Sequence, residues 1–224
     1  MVRLVTIWKV FLPVLGRKLM ALHDYVDEIV GSKASIRVLK TLVRYRGKVF
    51  TIRELARTSG LSHPEVSLVV RGLERRGVAR LQPVGRAHQV SLNEESYILR
   101  SIVEPLIAAE TNTLKVLIST IGPSFRDKRI RAVAIFGSVA KGLEKRFSDV
   151  DLLVVSSDKD LAHECAARAT AATLSKFGLG LSPLVMDEAL FRQRGELVKS
   201  ILESYTMVCG RNLREIAGSG EAGR

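Results

Sequence analysis

The sequence predicts an α+β protein in two parts: a small basic module of short helices closed by a β-hairpin, then a helical connector and a mixed sheet with flanking helices. Three observations carry that expectation. Two consecutive short helices open on capping-box patterns, Thr51-Ile-Arg-Glu54 and Ser62-His-Pro-Glu65, just ahead of two strand-like runs. From Arg131 onward, short apolar runs interchange with helical patterns, as in a sheet covered by helices. The charge is divided in the same way. Of the formal net +12, residues 33–92 hold +10, from thirteen Lys/Arg against three Asp/Glu, while residues 1–32 and 93–224 hold +1 each. Basic charge concentrated in sixty residues points to a polyanionic partner for that module.

The expected divisions are an N-terminal helical segment at 1–32, the basic module at 33–92, the connector at 93–127, the sheet domain at 128–216 and a flexible Gly/Ser-rich tail at 217–224. Val10 to Gly16 is an apolar run between Lys9 and Arg17-Lys18. It is far shorter than the roughly 20 residues a membrane span needs, and it lacks the length and cleavage site of a signal peptide. An amphipathic helix packed on the body is expected there, with translation from Met20 as the other reading, and no membrane partner. Cys165 and Cys209 lie far apart without metal-ligand spacing. That suits a reduced, cytoplasmic protein.

In the basic module, Ser35 to Arg46 places Ile36, Leu39, Leu42 and Val43 on one helical face, and Gly47 ends it. The helix from Thr51 runs to Thr58, and Gly60 supplies the positive φ of a tight turn. The helix from Ser62 carries the stripe Val66, Val69, Val70 and Leu73 and closes at Gly77. Val78 to Pro83 and Ala87 to Leu92 read as strands around the turn Val84-Gly85-Arg86. This order resembles the winged helix-turn-helix of archaeal and bacterial regulators, over residues 33–92. The resemblance implies double-stranded DNA as partner, with the third helix in the major groove and the hairpin on the backbone. His63, Ser67 and Arg71 then form the outward stripe, Arg75 stands near the helix end, and Arg80 and Arg86 lie on the hairpin with His88. Such modules also serve as protein docking units, but a net charge of +10 favours DNA. A homodimer on two half-sites is compatible with this architecture, its interface drawn from residues 94–121 or the N-terminal segment.

Beyond a helical stretch at 94–121, strands are expected at Arg131 to Phe136, Asp149 to Val155 and Gly180 to Val185. Helices are expected at Leu161 to Phe177 and from Glu188 to about Ser204. Gly137-Ser138 breaks the first strand, and Val139 to Gly142 is a short turn or helix. The chemistry sits here. A glycine allows close backbone approach, and a small hydroxyl with free amides holds a phosphate. After ten further residues come Asp149 and Asp151, on one face of a strand. Two carboxylates so close call for a cation, and Mg²⁺ prefers oxygen ligands and nucleotide phosphates.

Gly137-Ser138 with Asp149-x-Asp151 resembles the nucleotidyltransferase superfamily that includes DNA polymerase beta, in its minimal prokaryotic members, over residues 128–205. The resemblance implies nucleotide binding by Gly137 and Ser138, with Lys141 neutralising phosphate charge. It implies Mg²⁺ ligation and catalysis by Asp149 and Asp151, with ATP or another nucleoside triphosphate as substrate or ligand. Active members also carry a third carboxylate on a later strand. Gly180 to Val185 holds none; Asp187 and Glu188 read as a helix start, and Asp158 and Asp160 as loop residues, so that acid is unassigned. Two functions follow. One is transfer of a nucleoside monophosphate to a protein or RNA acceptor, as in an autoregulating antitoxin that modifies a toxin-like partner. The other is a transcriptional regulator whose nucleotidyltransferase domain binds nucleotide or is catalytically inactive.

Overall fold

The computed structural model describes residues 25–143, 148–193 and 195–218. The apolar run at 10–16, the start at Met20 and tail residues 219–224 lie outside the described residues. The chain forms two compact units, Met1–Thr111 and Asn112–Arg224. No helix among the described residues is long and apolar enough to cross a membrane.

In the first unit, α1 (Tyr25–Val30) and α2 (Lys33–Arg44) precede a two-residue strand β1 (Phe50–Thr51). Then come α3 (Ile52–Ser59), α4 (His63–Arg75), β2 (Ala79–Val84) and β3 (Ala87–Leu92). α2 starts earlier than its apolar pattern because Ser32 caps it, its hydroxyl accepting from the Ser35 amide at 3.0 Å. Both expected capping boxes form: Thr51 with Glu54, and Ser62 with Glu65. The amide and hydroxyl of Thr51 hold the Glu54 carboxyl below the usual range, and those of Ser62 do the same for Glu65. Between α3 and α4, Gly60 takes φ +66°, a conformation that glycine adopts without strain. Val66, Val70 and Leu73 of α4 pack with Leu39, Leu42, Phe50, Leu55 and Val90 into one core.

Ser62→Ala removes the reciprocal cap and is expected to destabilise this unit by about 1 kcal/mol, measured by urea unfolding followed by circular dichroism.

The antiparallel sheet runs β1-β3-β2, with Phe50 opposite Val90 and Val84 opposite Ala87 across the hairpin. The strand β1 is absent from the sequence reading, because two residues carry no periodicity. A π-helical turn at Leu99–Val103 leads into α5 (Glu104–Ile121). Leu99 and Val103 belong to the first core, Leu117, Ile121 and Phe125 to a second, and the unit boundary falls inside α5.

The second unit continues with a short 3₁₀ turn (Gly122–Phe125), β4 (Ile130–Ile135), α6 (Gly137–Ala140), β5 (Val150–Ser156) and α7 (Lys159–Phe177). It closes with β6 (Leu181–Met186), α8 (Glu188–Arg192), α9 (Glu196–Glu203), β7 (Thr206–Gly210) and α10 (Leu213–Ile216). The sheet order is β6-β5-β4-β7; β5 and β6 are parallel, joined through α7, and the other pairs are antiparallel. Both faces are covered. Leu152 and Val154 of β5 pack with Ala162, Cys165 and Ala169 of α7, whereas Leu153 and Val155 pack with Phe191, Val198 and Ile201. A strand buried on both sides reads as an unbroken apolar run.

One expectation is corrected here. The last helix, expected from Glu188 to about Ser204, is two helices, the second starting after Gly195, and β7 and α10 follow it.

Candidate functional site

β4 delivers the chain to Gly137, which sits at φ +71° at the start of α6. The antiparallel partner β5 begins at Val150, so Asp149 lies one residue ahead of the strand rather than within it. The amide of Phe136 donates to the carbonyl of Asp151 at 3.0 Å, fixing the Gly137-Ser138 turn beside the aspartates. Val150 is buried between them, Asp149 is exposed and Asp151 is half-buried. The two carboxylates therefore emerge on the same side of the chain, as alternation requires.

Two glycines wall this pair. A Cβ at Gly137 would overlap Asp151 Oδ2, and a Cβ at Gly180 would overlap Asp149 Oδ1. Gly180 is held in place by its carbonyl, which accepts from the Val150 amide at 2.9 Å. Sequence reasoning singled out Gly137 but passed over Gly180. Its signal was a glycine immediately before an apolar run, which reads as an ordinary loop end. Among the described residues, no hydrogen bond or ion pair engages either carboxylate, the Ser138 hydroxyl or the Lys141 ammonium.

The donor set suits a hard cation shared with a phosphate ligand. Among the described residues no group of three or more His, Cys, Asp and Glu side chains gathers as a metal cage. Mg²⁺ is ordinarily held by one or two carboxylates together with waters and substrate phosphates. The free pair Asp149 and Asp151, kept clear by two glycines, fits that mode.

The other acids have places elsewhere. Ser182 stands opposite Asp151 in the parallel β5–β6 pair. Asp187 is five residues further along, so roughly 17 Å away at the other end of the strand. There it caps α8, accepting from the Leu190 amide at 2.8 Å. Glu188 is shared among Arg192, Arg131 and Arg211. Asp158 caps α7 and binds Arg129 at 2.8 Å, and Asp160 lies in the first turn of that helix. Arg129 also grips Asp127, pushing its pKa down to about 2.

In the first unit, a cleft of about 520 Å³ opens between the first turn of α3, one side of α4 and the hairpin. His63, Ser67, Arg71 and Arg86 line it together with Arg53 and His88. Among the described residues, Arg53, Arg71 and Arg86 have no ion-pair partner. Arg53 was missed in the sequence because one arginine at a helix start carries no pattern. Two of the expected residues stand outside the cleft. Arg75 is exposed at the end of α4, and Arg80 lies in a separate hollow with Glu74, Gln82 and Asn93. There Arg80 donates to Asn93 Oδ1 at 2.9 Å and pairs with Glu95 at 3.7 Å.

Comparison with known proteins places a match to the nucleotidyltransferase domain family on residues 118–204. That span contains Gly137, Ser138, Asp149, Asp151 and Gly180. No curated protein matches the chain. Similar solved structures include one described as a toxin-antitoxin with AMP-PNP, 17% identical, covering 45% of this chain and 80% of that one, with a TM-score of 0.34. Another is TrmBL2, described as an archaeal chromatin protein with a novel mode of DNA binding. It is 19% identical, covers 77% of this chain and 70% of that one, and has a TM-score of 0.28.

Proposed function

We propose that the chain binds double-stranded DNA through a winged helix-turn-helix in its first unit and a magnesium-complexed nucleoside triphosphate in its second. We propose further that it transfers a nucleoside monophosphate to a protein or RNA acceptor. The observation that carries the reading is the unpartnered pair Asp149 and Asp151, walled by Gly137 and Gly180, inside the segment matching the nucleotidyltransferase family. Asp149 and Asp151 would hold the magnesium ion, which neutralises phosphate charge when bound. Gly137 lets the main chain approach the triphosphate, the Ser138 hydroxyl donates to a phosphate oxygen, and Lys141 adds positive charge. In transfer, the acceptor hydroxyl oxygen bonds to the α-phosphorus and the bridge to the β-phosphate breaks. Pyrophosphate leaves and the hydroxyl proton passes to solvent. A toxin-like acceptor and control of its own operon belong to this reading.

A second reading is a transcription regulator that binds nucleotide without transferring it. One observation favours it: the position beside Asp151 on β6 is Ser182, and the acids after that strand lie at its far end. The readings separate when the full chain, Mg²⁺ and each of the four α-labelled nucleoside triphosphates are mixed with total cellular protein and RNA. Label on a macromolecule that disappears with Asp151→Asn supports transfer. Nucleotide retained by the protein with no label passed on supports the regulator. If no nucleotide is either bound or transferred, the nucleotide site falls and a DNA-binding regulator with an inactive second unit is left.

Gly137→Ala combines an unfavourable positive φ with a collision against Asp151. Relief requires that carboxylate to turn away, and Mg²⁺-dependent ATP affinity is expected to fall at least about tenfold, a loss of about 1.4 kcal/mol. Calorimetric titration checks this.

A further inference from the structure

α4 presents more than a charged stripe. Leu68 is 71% exposed, the most exposed aliphatic side chain of the first unit among the described residues. It lies about 140–200° around the helix from the buried Val66, Val70 and Leu73, at 100° per residue. It is therefore no part of the core. Its neighbours on the outward ridge are Pro64, Arg71 and Arg75, within about 60° of it and all exposed. A large apolar group thus precedes two arginines on the same ridge, beside the helix side that lines the cleft.

We infer that Leu68 reads the C5-methyl group of thymine in the major groove. This rests on the DNA-binding reading given above. Arg71 and Arg75, on the same ridge and one and two turns further along the helix, suit a polyanion bearing phosphates. Within the major groove, thymine's methyl is the one apolar feature of a base edge, and aliphatic side chains are its natural contact. Arg71 and His63 supply hydrogen-bonding capacity on the cleft side, while Leu68 supplies apolar contact on the ridge. The sequence recognised is accordingly expected to place a thymine beneath the middle of α4.

The test uses the full chain and two duplex polymers, alternating poly(dA-dT) and alternating poly(dA-dU), with fluorescence anisotropy at fixed salt. They present the same hydrogen-bonding edges and charge and differ in the methyl. Wild type is expected to bind the thymine polymer about fourfold more tightly, the effect of burying one methyl group. Leu68→Ala, which suits an exposed helical position, should bind both polymers nearly equally while unfolding as wild type does. Equal wild-type affinity for the two polymers overturns the role of Leu68 but leaves DNA binding standing. A thymine preference that survives Leu68→Ala also overturns it. Failure to bind either polymer or a mixed-sequence duplex overturns the DNA reading, and this inference with it.

Discussion

Replacing both Asp149 and Asp151 by Asn is expected to reduce Mg²⁺-dependent ATP affinity at least about 100-fold, a loss of about 2.7 kcal/mol. Asn matches Asp in shape, so each side chain still fits against Gly180 or Gly137. What disappears is the pair of hard anionic ligands. The same change removes two like charges that have no partner among the described residues, so the nucleotide-free protein should melt at the wild-type temperature or slightly above. Thermal melting with and without Mg²⁺-ATP reads both effects at once. A large loss of stability without nucleotide would mean that the carboxylates are structural. DNA affinity should be unchanged, since the cleft lies in the other unit.

The double substitution Arg71→Ala and Arg86→Ala carries the second large effect. Both side chains line the cleft and neither has an ion-pair partner among the described residues. Affinity for duplex DNA is expected to fall about 100-fold near 0.1 M salt. The slope of log K against log salt should flatten by about two if both contact phosphate. Arg80→Ala is the matched control. That guanidinium is occupied by Asn93 and Glu95 outside the cleft, so its loss should change DNA affinity by less than about threefold. Equal losses at Arg80 and Arg71 would place the DNA on another surface.

Local chemistry was legible in the sequence because it is local. Thr51 with Glu54 and Ser62 with Glu65 satisfy each other's orphan amides within one turn, so a four-residue pattern sufficed to locate both helix starts. The run Leu152 to Val155 could be read because burial on both faces removes all polar alternation. What depends on distant pairing was harder to read. β7 is only partly buried and lies at the edge of the sheet, and its hydrogen-bond partner β4 is some seventy residues earlier. Nothing in Thr206 to Gly210 announces that partner.

The candidate site divides in the same way. Gly137, Ser138, Asp149 and Asp151 could be found by spacing alone. Gly180 and Ser182 come beside the aspartates only through the parallel register of β5 with β6. Spacing also placed Arg80 with Arg86 on the hairpin. Pairing with Asn93 and Glu95, which spacing alone does not resolve, holds Arg80 outside the cleft. Arg53 shows the converse, joining the cleft because the turn at Gly60 sets the start of α3 beside α4.

The most direct measurement is calorimetric titration of the wild-type chain with ATP, GTP, CTP and UTP, each in Mg²⁺ and again in excess chelator. The account predicts saturable binding of at least one triphosphate in Mg²⁺ and its loss when the metal is removed. Binding of equal strength without the metal, or no heat from any of the four, would contradict a magnesium–nucleotide site at Asp149 and Asp151.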